Sequence, residues 1–283
     1  MPWSAAERNG HKHEYICTTF LYNQWLDKLD ARINRGVRLQ NIKLEPDDFE
    51  LQTTSVWDFP DRGKWATHDA SYRGNWSPYI PRNIILRYSS EQELILDQFV
   101  GGGTTLVEAK LLNRNAIGVD INSSSLAIAT KKCDFTLERG GNVYFKAGDA
   151  RNLSFIPDKS IDLICTHPPY ANIIKYSANI NEDISRIPVG QFLSEMSKVA
   201  DESYRVLKSG KFCAIMMGDI RQKGFVFPLG FNVMGVFQQS GFKLKEVVIK
   251  KQHNCQSTRK WVQKSKENNF LLLAHEYLFL FKK

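Results

Sequence analysis

Apolar residues fall into two kinds of stretch along this chain, and the kind changes near residue 94. From there on, short continuous apolar runs alternate with segments whose apolar positions recur every three or four residues. The runs cover 94–100, 115–121, 143–149, 161–167, 212–219, 245–250 and 277–283. Runs of this length predict strands buried on both faces, and the periodic segments between them predict helices that cover those faces. Helices are expected to begin near Thr104, Ser123, Val189 and Pro228, and the one from Val189 to end at Gly210, a residue type that caps helices. No clear helix separates the last two runs, which points to an antiparallel last strand. The whole pattern predicts an α/β doubly wound, Rossmann-like fold: a mostly parallel seven-stranded sheet with helices on both faces.

Upstream the pattern is weaker. Residues 1–52 form a polar extension, in which only 20–40 has the apolar spacing of an amphipathic helix. Residues 53–90 are rich in aromatics, Gly, Pro and Arg. Pro78 and Pro81 exclude an early helix there and predict an ordered loop that feeds one. The expected organisation is an extension over 1–52 and one domain over 53–283.

Composition narrows the classes. With 283 residues, 42% hydrophobic and 24% charged, the chain can bury a sizeable core without a disulfide or a metal. No apolar run reaches the roughly 20 residues of a membrane span. The first residues lack a signal-peptide core, so a cytoplasmic location is expected. Cys17, Cys133, Cys165, Cys213 and Cys255 are scattered and form no CxxC pair, which excludes a disulfide framework and a zinc knuckle. The net charge of +8 fits simple solubility or a polyanionic partner such as nucleic acid.

Several predicted strand ends carry unusual residues, at the sheet edge where such folds bind ligands. The first runs Asp97, Gln98, Phe99, Val100, Gly101, Gly102, Gly103, Thr104, Thr105. Glycines there let a ligand approach the main chain, and the helix that follows offers free N–H groups. Asp120, followed by Ile121, ends the next strand, where a carboxylate can hold ribose hydroxyls. A bare glycine turn is the alternative. A dinucleotide fingerprint needs a small residue where this chain has Leu106. Asp97 could accept from an ammonium group, which suits S-adenosylmethionine (AdoMet) better than NAD. Asp149, followed by Ala150, could accept from an adenine amino group or merely cap a turn. At the end of the fourth strand, Thr166, His167, Pro168, Pro169 and Tyr170 combine fixed torsions, carbonyl acceptors and a flat ring, which suits an sp² amine.

These residues resemble the DNA amino-methyltransferases, which use AdoMet to methylate adenine N6 or cytosine N4. DQFVGGGTT resembles the cofactor loop, THPPY the catalytic (D/N/S)PPY motif, and NWSPYIPRNIILRY the segment closing over the methionine moiety. The order is of the gamma type and the likeness covers residues 53–283. It implies an AdoMet-dependent methyltransferase fold, with AdoMet lined by Phe99, Gly101, Gly102 and Gly103, bound through Asp120, flanked by Asp149 and closed over by Trp76 and Pro78. It implies a target base flipped onto Tyr170, whose amine donates to the Pro168 carbonyl and to the first motif side chain. That side chain is His167 rather than Asp, Asn or Ser, with Thr166 as the alternative acceptor. Protonation of His167 should then lower activity, and a level rate down to about pH 5 would argue against its role. The missing acidic residue favours cytosine N4.

Double-stranded DNA is the implied partner, with a cognate restriction endonuclease and a second copy of the chain as protein partners. Recognition is expected from residues 1–52, from the loop 171–187 with Lys175, and from 251–268 with Lys251, Arg259, Lys260, Trp261 and Lys264. Arg221 is expected to track the phosphate backbone. The rival readings are adenine N6 methylation, an RNA amino-methyltransferase of the tRNA guanine-N2 type, a protein-glutamine methyltransferase, and a non-catalytic DNA-binding subunit.

Overall fold

The computed structural model describes residues 37–38, 42–171, 176–177, 180–253 and 258–283. The amphipathic segment expected over 20–40 lies outside them, apart from two residues that form a short strand. Along the chain the elements are β1 (Val37–Arg38), β2 (Val56–Trp57), α1 (Tyr79–Tyr88), β3 (Leu94–Asp97), α2 (Thr104–Leu111), β4 (Asn115–Asp120), α3 (Ser123–Cys133), β5 (Phe135–Thr136) and β6 (Val143–Ala147). They continue with β7 (Ile161–Thr166), a 3-10 turn (Ile184–Arg186), α4 (Val189–Val206), β8 (Leu207–Met217), β9 (Ile220–Gln222), β10 (Phe225–Phe227), α5 (Leu229–Gln239), β11 (Lys243–Lys251), α6 (Thr258–Glu267) and β12 (His275–Lys282).

The main sheet has the order β2-β11-β12-β8-β7-β3-β4-β6. Strands β6, β4, β3, β7 and β8 run parallel, and β12 is antiparallel to both β8 and β11. All six residues of β7 and all four of β3 are buried, as continuous apolar runs require. Two cores result. One face packs α4 and α5 through Phe192, Met196 and Phe237. The other packs α1, α2 and α3 through Ile84, Leu106 and Ala129. Cys133, Cys165 and Cys213 are free and buried. Among the described residues no helix is long and apolar enough to cross a membrane.

The structure departs from the sequence reading in several places, the first being that α1 begins at Tyr79 and takes Pro81 into its first turn, where the missing N–H leaves no intrahelical bond unmade. An eighth strand, β2, pairs parallel to β11 through Val56↔Ile249 and Trp57↔Lys250. The helix from Val189 ends at Val206 rather than Gly210, because Leu207 is already extended. Gly210, at φ +78°, instead sits where the β7–β8 register slips between Ile161 and Leu163, so the glycine serves a bulge rather than a cap. Residues 258–267 form α6 between the last two long strands.

The chain runs outward from β3 to β4 and β6, then returns to place β7 on the other side of β3. That reversal opens a crevice above the carboxyl ends of β3 and β7.

Candidate active site

The crevice holds a cavity lined by residues from the glycine turn, the neighbouring strand ends and the segments at 72–76 and 182–184. Asp97, Asp120, Asp149 and His167 reach it from the ends of β3, β4, β6 and β7. Four neighbouring strands therefore each contribute their last polar residue, or the first one beyond, to one space.

The glycine turn is built for close packing. Gly103 is left-handed (φ +84°) at the cap of α2, and a Cβ there would lie 2.9 Å from the backbone Cα of Ala129. Any larger residue is both strained and blocked. The Gly101 N–H donates to Asp120 Oδ2 at 2.9 Å, and the Asn122 N–H to Asp120 Oδ1 at 2.8 Å, so Asp120 is fixed at the cavity edge. Phe99, Gly101, Gly102, Thr104, Ile121, Ala150 and Trp76 line the same space.

Several expected site residues stand elsewhere. Thr105 and Thr166 are fully buried, and their hydroxyls donate to Asp97 at 2.5 and 2.7 Å. They hold Asp97; Thr166 is not an acceptor facing the cavity. Gly103 and Pro78 also lie outside the cavity wall, where they cap α2 and α1. Asp149 faces the cavity while its carboxylate grips Arg151, which in turn pairs with Glu195. Pro169 and His167 line the cavity. Pro168 and Tyr170 are not part of its wall, and Tyr170 is partly exposed.

Electrostatics set the protonation states. Burial pushes the Asp97 carboxyl up to about 6 and raises Asp120 above the usual range. Gln98, in the same wall, has Oε1 buried with no hydrogen-bond partner among the described residues. Together these make an acidic, acceptor-rich pocket in a chain whose net charge is positive. Burial pushes His167 down to about 4, against the pull of Glu276. Its imidazole stacks on Trp76 with ring centroids 5.4 Å apart. Nε2 of His167 lies 2.8 Å from Tyr170 Oη, and Tyr170 Oη donates to Glu276 Oε1 at 2.8 Å. The Tyr170 ring packs against Gly218, where a Cβ would lie 3.0 Å from Tyr170 Cε2.

The low pKa of His167 moves the acid limb expected of an ordinary imidazole. At saturating AdoMet the rate should show no limb from His167 above about pH 5 and should fall towards about 4, where protonation removes the free lone pair, while protonation of Asp97 near 6 should show in AdoMet affinity. A level rate at pH 5 is therefore the expected result rather than an argument against His167. His167→Asn, whose amide does not titrate, should lose this limb in a pH–rate profile. An acid limb unchanged in that variant would assign it to Asp97 instead.

Sequence reasoning missed Glu276, Lys250 and Gly218, whose neighbours are remote in the chain. It also missed the cover of the cavity. Tyr72 and Tyr176 stack 6.3 Å apart along its wall, and Glu182, Asp183 and Ile184 complete it. The described part of the loop after Tyr170 thus turns inward to the cavity. Lys175 lies outside the described residues.

The basic candidates divide. Arg221 spends its guanidinium on the carbonyls of Gly224 and Leu271 and stacks on Phe270, which ties the β9–β10 hairpin to the segment before β12. It is a brace, not a free phosphate ligand. Lys251 pairs with Asp58 at 2.6 Å. Lys260, Trp261 and Lys264 are exposed on α6, with the Lys264 ammonium 5.1 Å from the Trp261 ring. The backbone of Arg259 belongs to α6 as well, and its side chain is outside the described set.

Comparison with known proteins agrees with this geometry. The family model described as DNA methylase matches residues 1–131 and 161–283, and one described as the methyltransferase domain of RMKL-like proteins matches 85–211. The type II methyltransferase M2.LlaDCHI of Lactococcus lactis subsp. cremoris is 44% identical over 69 residues, 24% of this chain and 24% of that protein. M.BglII of Bacillus subtilis, also a type II methyltransferase, is 28% identical over 135 residues, 47% of this chain and 36% of its own. A tRNA (guanine(10)-N2)-dimethyltransferase of Pyrococcus abyssi is 26% identical over 163 residues, 57% of this chain and 45% of that one. The chain thus spans less than half the length of each of these curated relatives. A SAM-dependent methyltransferase structure from Methanosarcina mazei aligns with a TM-score of 0.49 at 18% identity, covering 71% of this chain and 96% of that one. The sheet order and the family match give the AdoMet-dependent methyltransferase fold expected from the sequence. With a family match that reaches from residue 1 to residue 283 across a single internal gap, this chain belongs to the DNA methylase family.

Proposed function

We propose that the chain is an AdoMet-dependent DNA methyltransferase acting on the exocyclic amino group of a flipped base, with cytosine N4 as the target. The observation that carries this reading is a neutral His167 at the cavity wall, hydrogen-bonded to the partly exposed Tyr170. AdoMet is the cofactor of the family, and the residues present fit it. Asp97 and the unpartnered Gln98 Oε1 suit an ammonium group, Asp120 suits a ribose diol, and the cavity edge by Ile121, Asp149 and Ala150 suits an adenine. When bound, AdoMet supplies an electrophilic methyl group on a sulfonium.

The chain's own residues position the amine. Tyr170 offers its ring as the stacking face for the base. The carbonyl of Pro168 accepts no hydrogen bond among the described residues, and it takes one amine proton. His167 takes the other. With both protons held, the nitrogen lone pair is free to attack, and no covalent enzyme intermediate is needed. His167 accepts the proton released after transfer. The neutral acceptor, in place of an acidic one, supports cytosine.

α6 is the proposed phosphate-contacting element. Lys260→Ala and Lys264→Ala should each weaken duplex binding at any sequence and reduce the slope of log K against log salt by about 1. Unchanged slopes in both variants would place α6 away from the DNA.

The reaction is tested by nucleoside mass spectrometry on DNA from a methylation-null bacterial host expressing the chain. N4-methylcytosine supports the full reading. N6-methyladenine keeps the reaction and overturns the base. Unmodified DNA with N2-methylguanine in the RNA would overturn the DNA substrate. The Pyrococcus abyssi likeness makes that second digest worth running.

A further inference from the structure

The hydrogen bonds behind the cavity do more than hold Tyr170 in place. Glu276 lies on β12, directly opposite Lys250 on β11, and its Oε2 accepts from Lys250 Nζ at 3.0 Å. Burial opposes its charge. Lys250, His167 and the hydrogen bonds outweigh that effect and hold its pKa below the ordinary carboxylate value. It is therefore ionised at neutral pH and has no proton to give. Its Oε1 can only accept, so the single proton of the Tyr170 hydroxyl must point at Glu276. Burial and the facing carboxylate raise the Tyr170 pKa well above its usual value, so the phenol keeps that proton. Tyr170 Oη then has only lone pairs left for His167. The contact at 2.8 Å between His167 Nε2 and Tyr170 Oη is a hydrogen bond only if Nε2 carries the proton.

We infer that Glu276 is a positioning residue that, through Tyr170, fixes His167 as the Nε2–H tautomer and so leaves Nδ1 as the bare acceptor for the substrate amine. This rests on the reading that His167 accepts from the amine. Nδ1 has no hydrogen-bond partner among the described residues, while the imidazole forms part of the cavity wall. A neutral imidazole whose free nitrogen were Nε2 would present an N–H donor at Nδ1, and two donors would then face each other. The first motif position carries Asp, Asn or Ser in the family, and each of these has an oxygen acceptor. A histidine needs its tautomer set from outside, and Glu276 sets it. Lys250 keeps Glu276 charged.

Glu276→Gln tests this with almost no change of shape. Lys250 has only donors, so it claims the amide oxygen and leaves the amide NH₂ facing Tyr170. The Tyr170 hydroxyl must then donate to His167 Nε2, and the ring proton moves to Nδ1. Nitrogen-15 NMR of histidine-labelled protein at neutral pH should show His167 protonated at Nε2 in the wild type and at Nδ1 in E276Q. The turnover number should fall about 100-fold, the usual scale for losing one aimed polar group. AdoMet affinity should hold, since Glu276 does not line the cavity, while the melting temperature should fall by a few degrees, since the largely buried Lys250 keeps its hydrogen bond and loses its charged partner. The double variant E276Q/Lys250→Met frees the amide to turn its oxygen to Tyr170, and should restore the Nε2–H signature and most of the rate. A wild-type His167 already protonated at Nδ1, or an E276Q protein with the wild-type tautomer and rate, would overturn the inference. His167→Ala with full activity would instead overturn the reading on which it rests.

Discussion

Replacing Tyr170 by alanine is expected to lower methyl transfer by about 10³-fold or more, while AdoMet binds within about twofold of its wild-type affinity. Two losses combine. The stacking face for the base is worth about 1–3 kcal/mol, and the release of His167 from its fixed orientation costs a further factor of about 10². Tyr170 does not line the cavity, so the cofactor should be indifferent to the change. Tyr170→Phe separates the two losses. It keeps the ring against Gly218 and breaks only the link between His167 and Glu276, so its rate should lie near the factor of about 10² alone. Single-turnover rates on a methylatable duplex, with calorimetry for AdoMet, give both quantities. An alanine variant that turns over like the wild type would remove Tyr170 from the reaction. One that fails to bind AdoMet would show that the residue supports the fold instead.

Glu108→Leu should be the most damaging single change to stability. Glu108 is fully buried on α2 and accepts from Trp65 Nε1 at 2.6 Å, His68 Nε2 at 2.7 Å and Arg82 Nη1 at 3.1 Å. Leucine fits the volume, yet it leaves the Arg82 charge buried without this partner and orphans two ring N–H groups. Removing one partner from such a cluster costs about 3–5 kcal/mol. At roughly 2–4 °C per kcal/mol for a large domain, the melting temperature should fall by about 10 °C. The consequence reaches the site, because Trp65 and His68 belong to the segment that carries Tyr72 and Trp76 over the glycine turn. AdoMet affinity should fall along with stability. Unaltered melting would mean that other contacts hold this segment.

What the sequence made legible was local. Asp97, the three glycines and Thr104 all fall within residues 97–104, so one window contains a strand end, a turn and a helix start. The same holds for the Pro-Pro-Tyr turn. Glu276 could not be found this way. It is 106 residues from Tyr170, and in sequence it is a lone acid ahead of an apolar run. Only the β11–β12 pairing sets Lys250 across from it. Gly210 misled for a related reason: glycine after a helical pattern can mark a cap or a bulge, and the β7–β8 register decides between them. α6 escaped because TRKWVQKSKE has only Trp261 and Val262 to reveal a period. Thr166 ends β7 and His167 follows it directly, and the two side chains part, one to Asp97 and the other to the cavity. A motif read as a string does not say which neighbour faces which way.

The pairing of β2 with β11 has a consequence for how the protein is made. Asp58, next to β2, is held by Lys251 at the end of β11, 193 residues further along the chain. A ribosome adds about 5–20 residues per second, so roughly 10–40 s separate the emergence of the two partners. Until then the segment before α1 has no sheet edge to dock on, although the strands that bear the glycine turn have been made. Each newly synthesised copy therefore passes through an interval in which its glycine turn exists before the segment that covers it is anchored through Asp58.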